Sequence, residues 1–482
     1  MSKMTISAAC NAFAHATSRC FLLFLLISVL ESLQSMQCHA APRPNILILL
    51  ADDLGWGDVG FHGSEIRTPN IDSLAERGYV LDNFYVQPTC TPTRIALMTG
   101  RYPFRCGGQI CVLRPHHKHG APLDEPFLSN ALKNAGYKTA ITGKWHLGLA
   151  RRAYWPTSRG FDLQYGLLGG SIDYFSHVGY ETLDWNDNDH VPLHEEGYST
   201  DLIGSRAVSI VLDHDFNSQP LFLYVPFNAP HVPIQAKTED LESYSAIQDK
   251  QRQTYAAMVT AMDKQIGSIL KAFDEKGVAD NTLVIFASDN GGHTDGASNV
   301  PLRGNKGKLY EGGIRVPACL LWPNELKGAR TISQPIHIVD FFPTLVKLAG
   351  GTVNSKKPMD GLDVWPAIAD DKPLPSREIV HNVFDSNGRG AIRKDQWKLI
   401  VYPRRLAPTG VPLGVADLFA QLFDIDSDPY EINNLAERYP NIVESLWKRL
   451  REHGKSVGDS RPYCAPASPD WEPPADWSVI PE

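Results

Sequence analysis

From about Pro44, short apolar runs alternate with segments that repeat apolar residues every three or four positions. NILILLADD (45–53) is unbroken and apolar until its closing aspartates, as expected of a strand covered on both faces. TPNIDSLAERG (68–78) predicts a helix with Thr68 as N-cap, Pro69 as first helical residue and Gly78 as the stop. QTYAAMVTAMDKQIGSILKAFDEKG (253–277) predicts a long amphipathic helix with Met258, Met262, Ile266, Ile269 and Phe273 on one face, where the methionines fit core packing. This alternation predicts an α/β fold with a largely parallel central sheet. Past roughly residue 370 the pattern changes. REIVHNVF (377–384), GAIRKDQWKLIVY (390–402) and QLFDID (421–426) read as strands of a smaller antiparallel sheet, followed by the helix NIVESLWKRLREHG (441–454). The tail beyond Pro462, rich in Pro, Trp and Asp, reads as a surface wrap. The expected domains are a leader over 1–40, a catalytic α/β domain over 41–370, and a C-terminal α+β subdomain with tail over 371–482.

The leader changes the compartment. Lys3 and Arg19 precede CFLLFLLISVL (20–30), and the small residues of QCHAAP place a cleavage site after Ala40. The run is short for a membrane span, so a signal peptide is expected. An uncleaved anchor and lipidation at Cys38 are the alternatives; the residues before Cys38 do not suit the latter. The mature chain is expected to be exported: periplasmic or secreted, or lysosomal or extracellular in a eukaryote, with no stable membrane association. Composition is that of a globular protein, 43% hydrophobic and 21% charged, and the net charge of −8 argues against a nucleic-acid partner. Removal of the leader leaves Cys90, Cys106, Cys111, Cys319 and Cys464. An odd number in an oxidising compartment leaves one unpaired within the chain; a special fate for Cys90 leaves four for pairing.

Four strand-like runs end in chemistry. NILILLADD ends in Asp52 and Asp53, KTAITGKWHLG (138–148) passes through Lys144 and His146, LFLYVPFNAPH (221–231) ends at His231, and TLVIFASDNGG (282–292) reaches Asp289 and Asn290. Ligands of open α/β sheets bind beyond the carboxyl ends of the strands, so the four ends are expected to converge. Three carboxylates and an amide oxygen suit a hard cation, Ca²⁺ or Mg²⁺. For either acidic segment alone an ordinary turn is the simpler reading. Lys144, His146, His231 and Lys306 (in PLRGNKGKLYEGG) can surround an oxyanion, with histidines to donate and accept protons. QPTCTPTRIALMTGRYP (87–103) adds Cys90 just before a helix that Thr91 can cap and Pro92 can open, where a thiol pKa falls. Arg94 lies in the first turn.

These residues resemble the type I sulfatase family. CTPTR (90–94) matches its C-x-P-x-R signature, with Thr93 where serine is commonest. LMTGRYP, GKWHLG, DNGG and LFDIDSDPYEINNLA extend the resemblance over about residues 44–455. Within the family, LLADDLGWGDVGFHGSEIRTPNID, PLDEPFL, AIQDKQRQTYAAMV and PLRGNKGKLYEGG look most like the arylsulfatase B (N-acetylgalactosamine-4-sulfatase) branch. The resemblance implies an alkaline-phosphatase-like fold: a large mixed, mostly parallel sheet flanked by helices, plus a smaller C-terminal antiparallel sheet with a helix. It implies that a formylglycine-generating enzyme converts Cys90 to Cα-formylglycine, whose hydrate attacks sulfur and later releases sulfate. It further implies Ca²⁺ on Asp52, Asp53, Asp289, Asn290 and modified Cys90, with Mg²⁺ as an alternative. Arg94, Lys144 and Lys306 would bind sulfate and the nucleophile, His146 would orient or deprotonate the hydrate, and His231 would protonate the leaving oxygen. GGSIDYFSHVGY (169–180) resembles a pocket segment in which Asp173, Tyr174 and His177 touch a sugar, or merely pack the loop. Asp184, Asn186, Asn188 and Glu195 fall at EF-hand-like offsets, but Asp189 stands where that loop needs glycine and helical flanks are absent.

The expected partner is a sulfated carbohydrate, preferably a sulfated hexosamine of a glycosaminoglycan-like polymer. A phosphoester or phosphonate hydrolase, and a sulfated-glycan binder whose Cys90 stays a thiol, are the competing readings.

Overall fold

The computed structural model describes residues 43–109, 111–188, 192–353, 355–403, 418–459, 464–474 and 477. The leader, its cleavage site, Cys38 and Asp189 lie outside the described residues.

The apolar runs become β1 (Asn45–Ala51), β2 (Tyr79–Leu81), β3 (Lys138–Thr142), β4 (Leu163–Gly166), β5 (Asn186–Asp187), β6 (Leu221–Pro226), β7 (Thr282–Ser288), β8 (Ala318–Leu321) and β9 (Arg330–Ile332). They form one sheet in the order β9-β2-β8-β7-β1-β6-β3-β4-β5. The central run from β7 to β4 is parallel; β8 against its two neighbours, and β5 against β4, are antiparallel. β1 explains the middle of the sheet. Ile46, Ile48 and Leu50 enter one core while Leu47, Leu49 and Ala51 enter the other, every one at most 1% exposed. Strand alternation therefore feeds two cores, one on each face.

On one face lie α1 (Pro69–Arg77), α3 (Ser199–Asp213) and the long α4 (Lys250–Glu275). The predicted stripe of α4, Met258 to Phe273, is buried throughout. α1 starts at Pro69 as expected, but the Thr68 hydroxyl does not cap it. Asp263 on α4 accepts from the amides of Asn70 and Ile71 instead, at 3.1 and 2.8 Å, so the cap comes from a neighbouring helix. α2 (Cys90–Thr99) packs on the opposite face with the aromatic core around Phe341 and Phe342.

A second sheet holds β10 (Glu378–His381), β11 (Gly390–Lys394), β12 (Trp397–Pro403) and β13 (Leu418–Asp424), all antiparallel. The run 390–402 is two strands rather than one: Asp395, at φ 53°, turns the chain between β11 and β12. α5 (Pro440–Gly454) covers this sheet with Val443, Leu446, Trp447 and Leu450. Residues 464–474 lie along the surface of the body.

Candidate active site

Register fixes the site. Ala51 pairs with Ser288 and Leu50 with Pro226, so β1, β6 and β7 end level, and Asp52, Asp289 and the segment before His231 leave the sheet side by side. The Asp52 amide donates to Ala229 O (3.1 Å) and the Asp289 amide to Ala51 O (2.9 Å), which continues the ladder past the strands. Just past β3, Gly143 turns at φ 128°; a Cβ there would stand 2.1 Å from Pro226 O, so only glycine lets Lys144 follow. The Lys144 amide then bonds Pro226 O at 2.7 Å.

The expected residues meet. One ligand atom each from Asp52, Asp53, Cys90 and His231 lies within 4.8 Å of the others. Cys90 Sγ is 3.5 Å from Asp52 Oδ1. Lys144 Nζ pairs with Asp52, and Lys306 Nζ with Asp53 at 2.8 Å. Arg94 donates Nη2 and Nε to Asp289 at 2.8 and 3.2 Å and Nη1 to Lys144 O at 2.8 Å. His231 Nε2 stands 3.7 Å from Asp53. Asn290 donates Nδ2 to Asp53 Oδ1 at 2.7 Å.

Burial and neighbouring charges together decide the electrostatics. Asp52 is fully buried, which opposes its charge, yet Lys144, His231, Arg94 and Lys306 hold its carboxyl well below the usual range. Asp53 is held down in the same way, by His231 and Lys306 against its burial. Asp289 goes the other way: burial, then the neighbouring Asp52 charge, push it up to about 7 despite Arg94. Burial opposes the Arg94 charge too, but Tyr224, Asp289 and Asp52 outweigh it. Burial lowers both His231 and His146.

The donor set suits a hard cation. Three carboxylates crowd a buried site, and the Asn290 Oδ1 atom is buried with no hydrogen-bond partner among the described residues. An amide oxygen so placed costs free energy unless a cation or donor meets it. A divalent ion there would also bring Asp289 back to its charged form.

Several expectations need correction. α2 begins at Cys90 itself, with Thr89 in the cap position, so Thr91 is not the cap and Pro92 is the third helical residue. The Thr91 hydroxyl is drawn into tertiary contacts instead: it donates to His146 O (3.2 Å) and accepts from Leu113 N (3.1 Å). Burial pushes the Cys90 thiol up to about 12, opposite to the shift a helix N-terminus alone would give. Arg94 is wholly buried among carboxylates and faces them rather than an incoming anion. Tyr174 and His177 do not present their side chains to a sugar. Tyr174 is 1% exposed and donates its hydroxyl to Asn228 O and His231 O (2.6 and 2.8 Å), while His177 is buried, stacked on Trp185 and bonded to Gly197 O. Asp173 takes the amides of Phe175 and Ser176 and Gln235 Nε2, which shapes the turn. The EF-hand-like set is committed to local bonds: Asp184 accepts from the Leu168 and Gly169 amides and from Asn186 Nδ2, and Glu195 accepts from Tyr165 and Trp185.

Three contributors escaped the sequence reading. Tyr255, three residues before Met258 on α4, donates to Asp53 O (3.2 Å) and Asp58 (2.8 Å). It braces Asp53, which sits at φ 66°. Leu113 offers its carbonyl to His146 Nε2 at 2.9 Å, which assigns the proton to Nε2 and leaves the buried Nδ1 as acceptor. Gly170 lets the chain pass against that imidazole; a Cβ there would stand 2.4 Å from Nε2. Only the position of Tyr255 on the apolar helix face carried a sequence signal.

Known proteins share this arrangement of chain. The family described as Sulfatase matches residues 44–351, and the one described as N-sulphoglucosamine sulphohydrolase, C-terminal, matches 305–456. Arylsulfatase J of Mus musculus is 37% identical over 458 residues, spanning 86% of this chain and 76% of that protein. N-acetylgalactosamine-6-sulfatase of Canis lupus familiaris is 33% identical over 496 residues, spanning 93% and 94%. The crystal structure of Ps i-CgsB in complex with k-i-k-neocarrahexaose superposes with a TM-score of 0.77 at 34% identity, covering 87% of this chain and 94% of that one. With the motif cysteine, the carboxylates and the cations gathered at one sheet edge, and the sequence matched over most of its length, the chain belongs to the sulfatase family.

Proposed function

We propose that the mature chain is an exported sulfuric ester hydrolase that removes sulfate from a sulfated hexosamine of a glycosaminoglycan-like polymer. The observation that carries this reading is the meeting of Cys90, three buried carboxylates and three fixed cations at the carboxyl edge of the sheet. A thiol held up at about 12 is inert as it stands. The same position converted by a generating enzyme to Cα-formylglycine supplies a hydrated aldehyde as nucleophile. Asp52, Asp53, Asp289, Asn290 and the Cys90 position would hold Ca²⁺, or Mg²⁺ in its place, which when bound would neutralise charge on the sulfate and the attacking oxygen.

The chain's own residues then divide the work. Lys144 and Lys306 offer ammonium groups to sulfate oxygens. Arg94 keeps Asp289 oriented through Nε and Nη2. His146, with Nε2–H committed to Leu113 O, offers Nδ1 as proton acceptor. His231 donates Nδ1–H to Val232 O at 2.6 Å, so Nε2, beside Asp53, is the atom that takes up and returns a proton to the leaving oxygen. Relatives named for N-acetylgalactosamine 6-sulfate, and one captured with an oligosaccharide, support a sulfated sugar as substrate.

The test is direct. Peptide 78–94 of active protein is expected to be lighter than its cysteine form, and the same preparation is expected to release sulfate from sulfated N-acetylgalactosamine oligosaccharides. It is expected to prefer aryl sulfate over the matched aryl phosphate, and chelation is expected to lower both turnover and melting temperature. An intact Cys90 thiol in fully active protein, or a preference for the phosphate, overturns the reading.

A further inference from the structure

We propose that a second anion-binding subsite lies beside the Cys90 site, between residues 111–118 and the C-terminal tail, and that it takes a second sulfate group of the same polymeric substrate. This rests on the sulfated-polymer reading above. A cavity of about 340 Å³ is lined there by Val112, Arg114, His116, Ala465 and Pro466, with the Cys111–Cys464 disulfide in its wall. Among the described residues, no acidic residue lines it.

The walls are fixed and the cations are not spent. The disulfide joins residues 353 apart in sequence. His116 and His117 both donate Nε2–H to Ala465 O at 2.9 Å. His117 Nδ1 accepts from the Arg114 amide at 2.9 Å, and burial lowers its pKa, so His117 is a neutral wall. Arg114 and Lys118 are exposed, and neither side chain makes an ion pair among the described residues. In a chain of net charge −8, an unneutralised Arg114 in the cavity wall, with Lys118 exposed four residues on, describes a place for an anion. The planar guanidinium matches the oxygens of a sulfate ester two at a time.

Position ties this cavity to the reaction. Leu113, the residue before Arg114, bonds His146 through its carbonyl and Thr91 through its amide, and Thr91 follows Cys90. The opposite wall continues along the tail to Pro474, whose carbonyl accepts from Thr182 in the hairpin 178–183. The tail therefore joins the 111–118 segment, which bonds His146, to the 178–183 hairpin. A polymer with one sulfate at Cys90 can set a neighbouring sulfated sugar against Arg114, with Lys118 adding charge from four residues on, whereas a small aryl sulfate cannot reach both sites.

The experiment compares a sulfated N-acetylgalactosamine-containing tetrasaccharide with 4-nitrophenyl sulfate, using formylglycine-bearing full-length protein. For Arg114→Gln with Lys118→Gln, the ratio of kcat/KM on the tetrasaccharide to that on the aryl sulfate is expected to fall about tenfold, the size of one hydrogen-bonded charge pair. The change is expected in KM, to vanish at high salt, and to be partly restored by Arg114→Lys. Both side chains are exposed, so melting temperature is expected to hold and reports on the fold. Sulfate release with an unchanged ratio overturns the subsite alone. No release from either compound by wild-type protein overturns the sulfatase reading and the subsite with it.

Discussion

At the scale of single residues, the site is held by groups whose ordinary character is reversed by burial. Cys90 sits at a helix start that favours thiolate, yet desolvation wins and the thiol stays protonated. Burial opposes the Arg94 charge, but Tyr224, Asp289 and Asp52 outweigh it, and Lys144 pairs with Asp52. His231→Gln removes the proton donor while keeping a polar side chain, and kcat on a poor leaving group is expected to fall by roughly 10²–10⁴. The loss is expected to shrink on an aryl sulfate, whose leaving group needs less help; steady-state kinetics on both esters checks this. Tyr174→Phe is a subtler case. It deletes the hydroxyl that ties Asn228 O and His231 O together, so stability is expected to drop by about 1 kcal/mol. Turnover is expected to fall more than KM rises, because His231 is loosened and no sugar contact is lost. A KM effect alone would return Tyr174 to the substrate.

At the scale of elements, strand ends and helix ends do different jobs. Level ends of β1, β6 and β7 place the carboxylates and His231, whereas α1 takes its cap from Asp263 on α4. Burial raises Asp263 to about 6, so the folded chain binds that proton more tightly than the unfolded one, and this group loses stability as pH rises through 3.8 to 6. His381 in β10 works oppositely. Burial lowers it to about 3, so stability is lost as pH falls below 6.5. Glu378 in the same strand, held at about 2 by His453 and Arg449 against its partial burial, adds a loss as pH falls below 4.5. The two opposite slopes offset each other between about pH 6 and 4.5, and acid sensitivity is expected to steepen below that. Asp263→Asn removes the offset; urea unfolding at a series of pH values is expected to show a steeper loss between pH 6 and 4 than in the wild type.

At the scale of the whole molecule, one covalent link binds the tail to the site's surroundings. Cys464→Ser is expected to cost about 2–4 kcal/mol, read as a lower melting temperature. Because Cys111 lies two residues from Leu113, the variant is also expected to lose activity at temperatures where it remains folded, by loosening the carbonyl on His146. A melting shift with unaltered kinetics would confine the disulfide to stability. Cys319 took no part in pairing: it lies in β8, buried as a thiol whose pKa burial raises above its usual value. The four-cysteine count was therefore permissive, because pairing depends on Cα separation that sequence does not show.

By itself the sequence determined the elements and the chemical inventory. Apolar runs closed by Asp52–Asp53 and Asp289–Asn290 were legible because strand periodicity and polar strand ends are local properties. The motif around Cys90 was legible because its spacing is local too. Tertiary structure decided the rest. Whether Thr91 capped its helix depended on Leu113 and His146, which lie 22 and 55 residues away. Whether Tyr174 met sugar or backbone depended on how loop 169–180 folded over β6. Whether Arg94 faced sulfate or Asp289 depended on a separation of 195 residues closed by the sheet. Capping, side-chain exposure and charge pairing are properties of the space between elements, and packing alone sets that space.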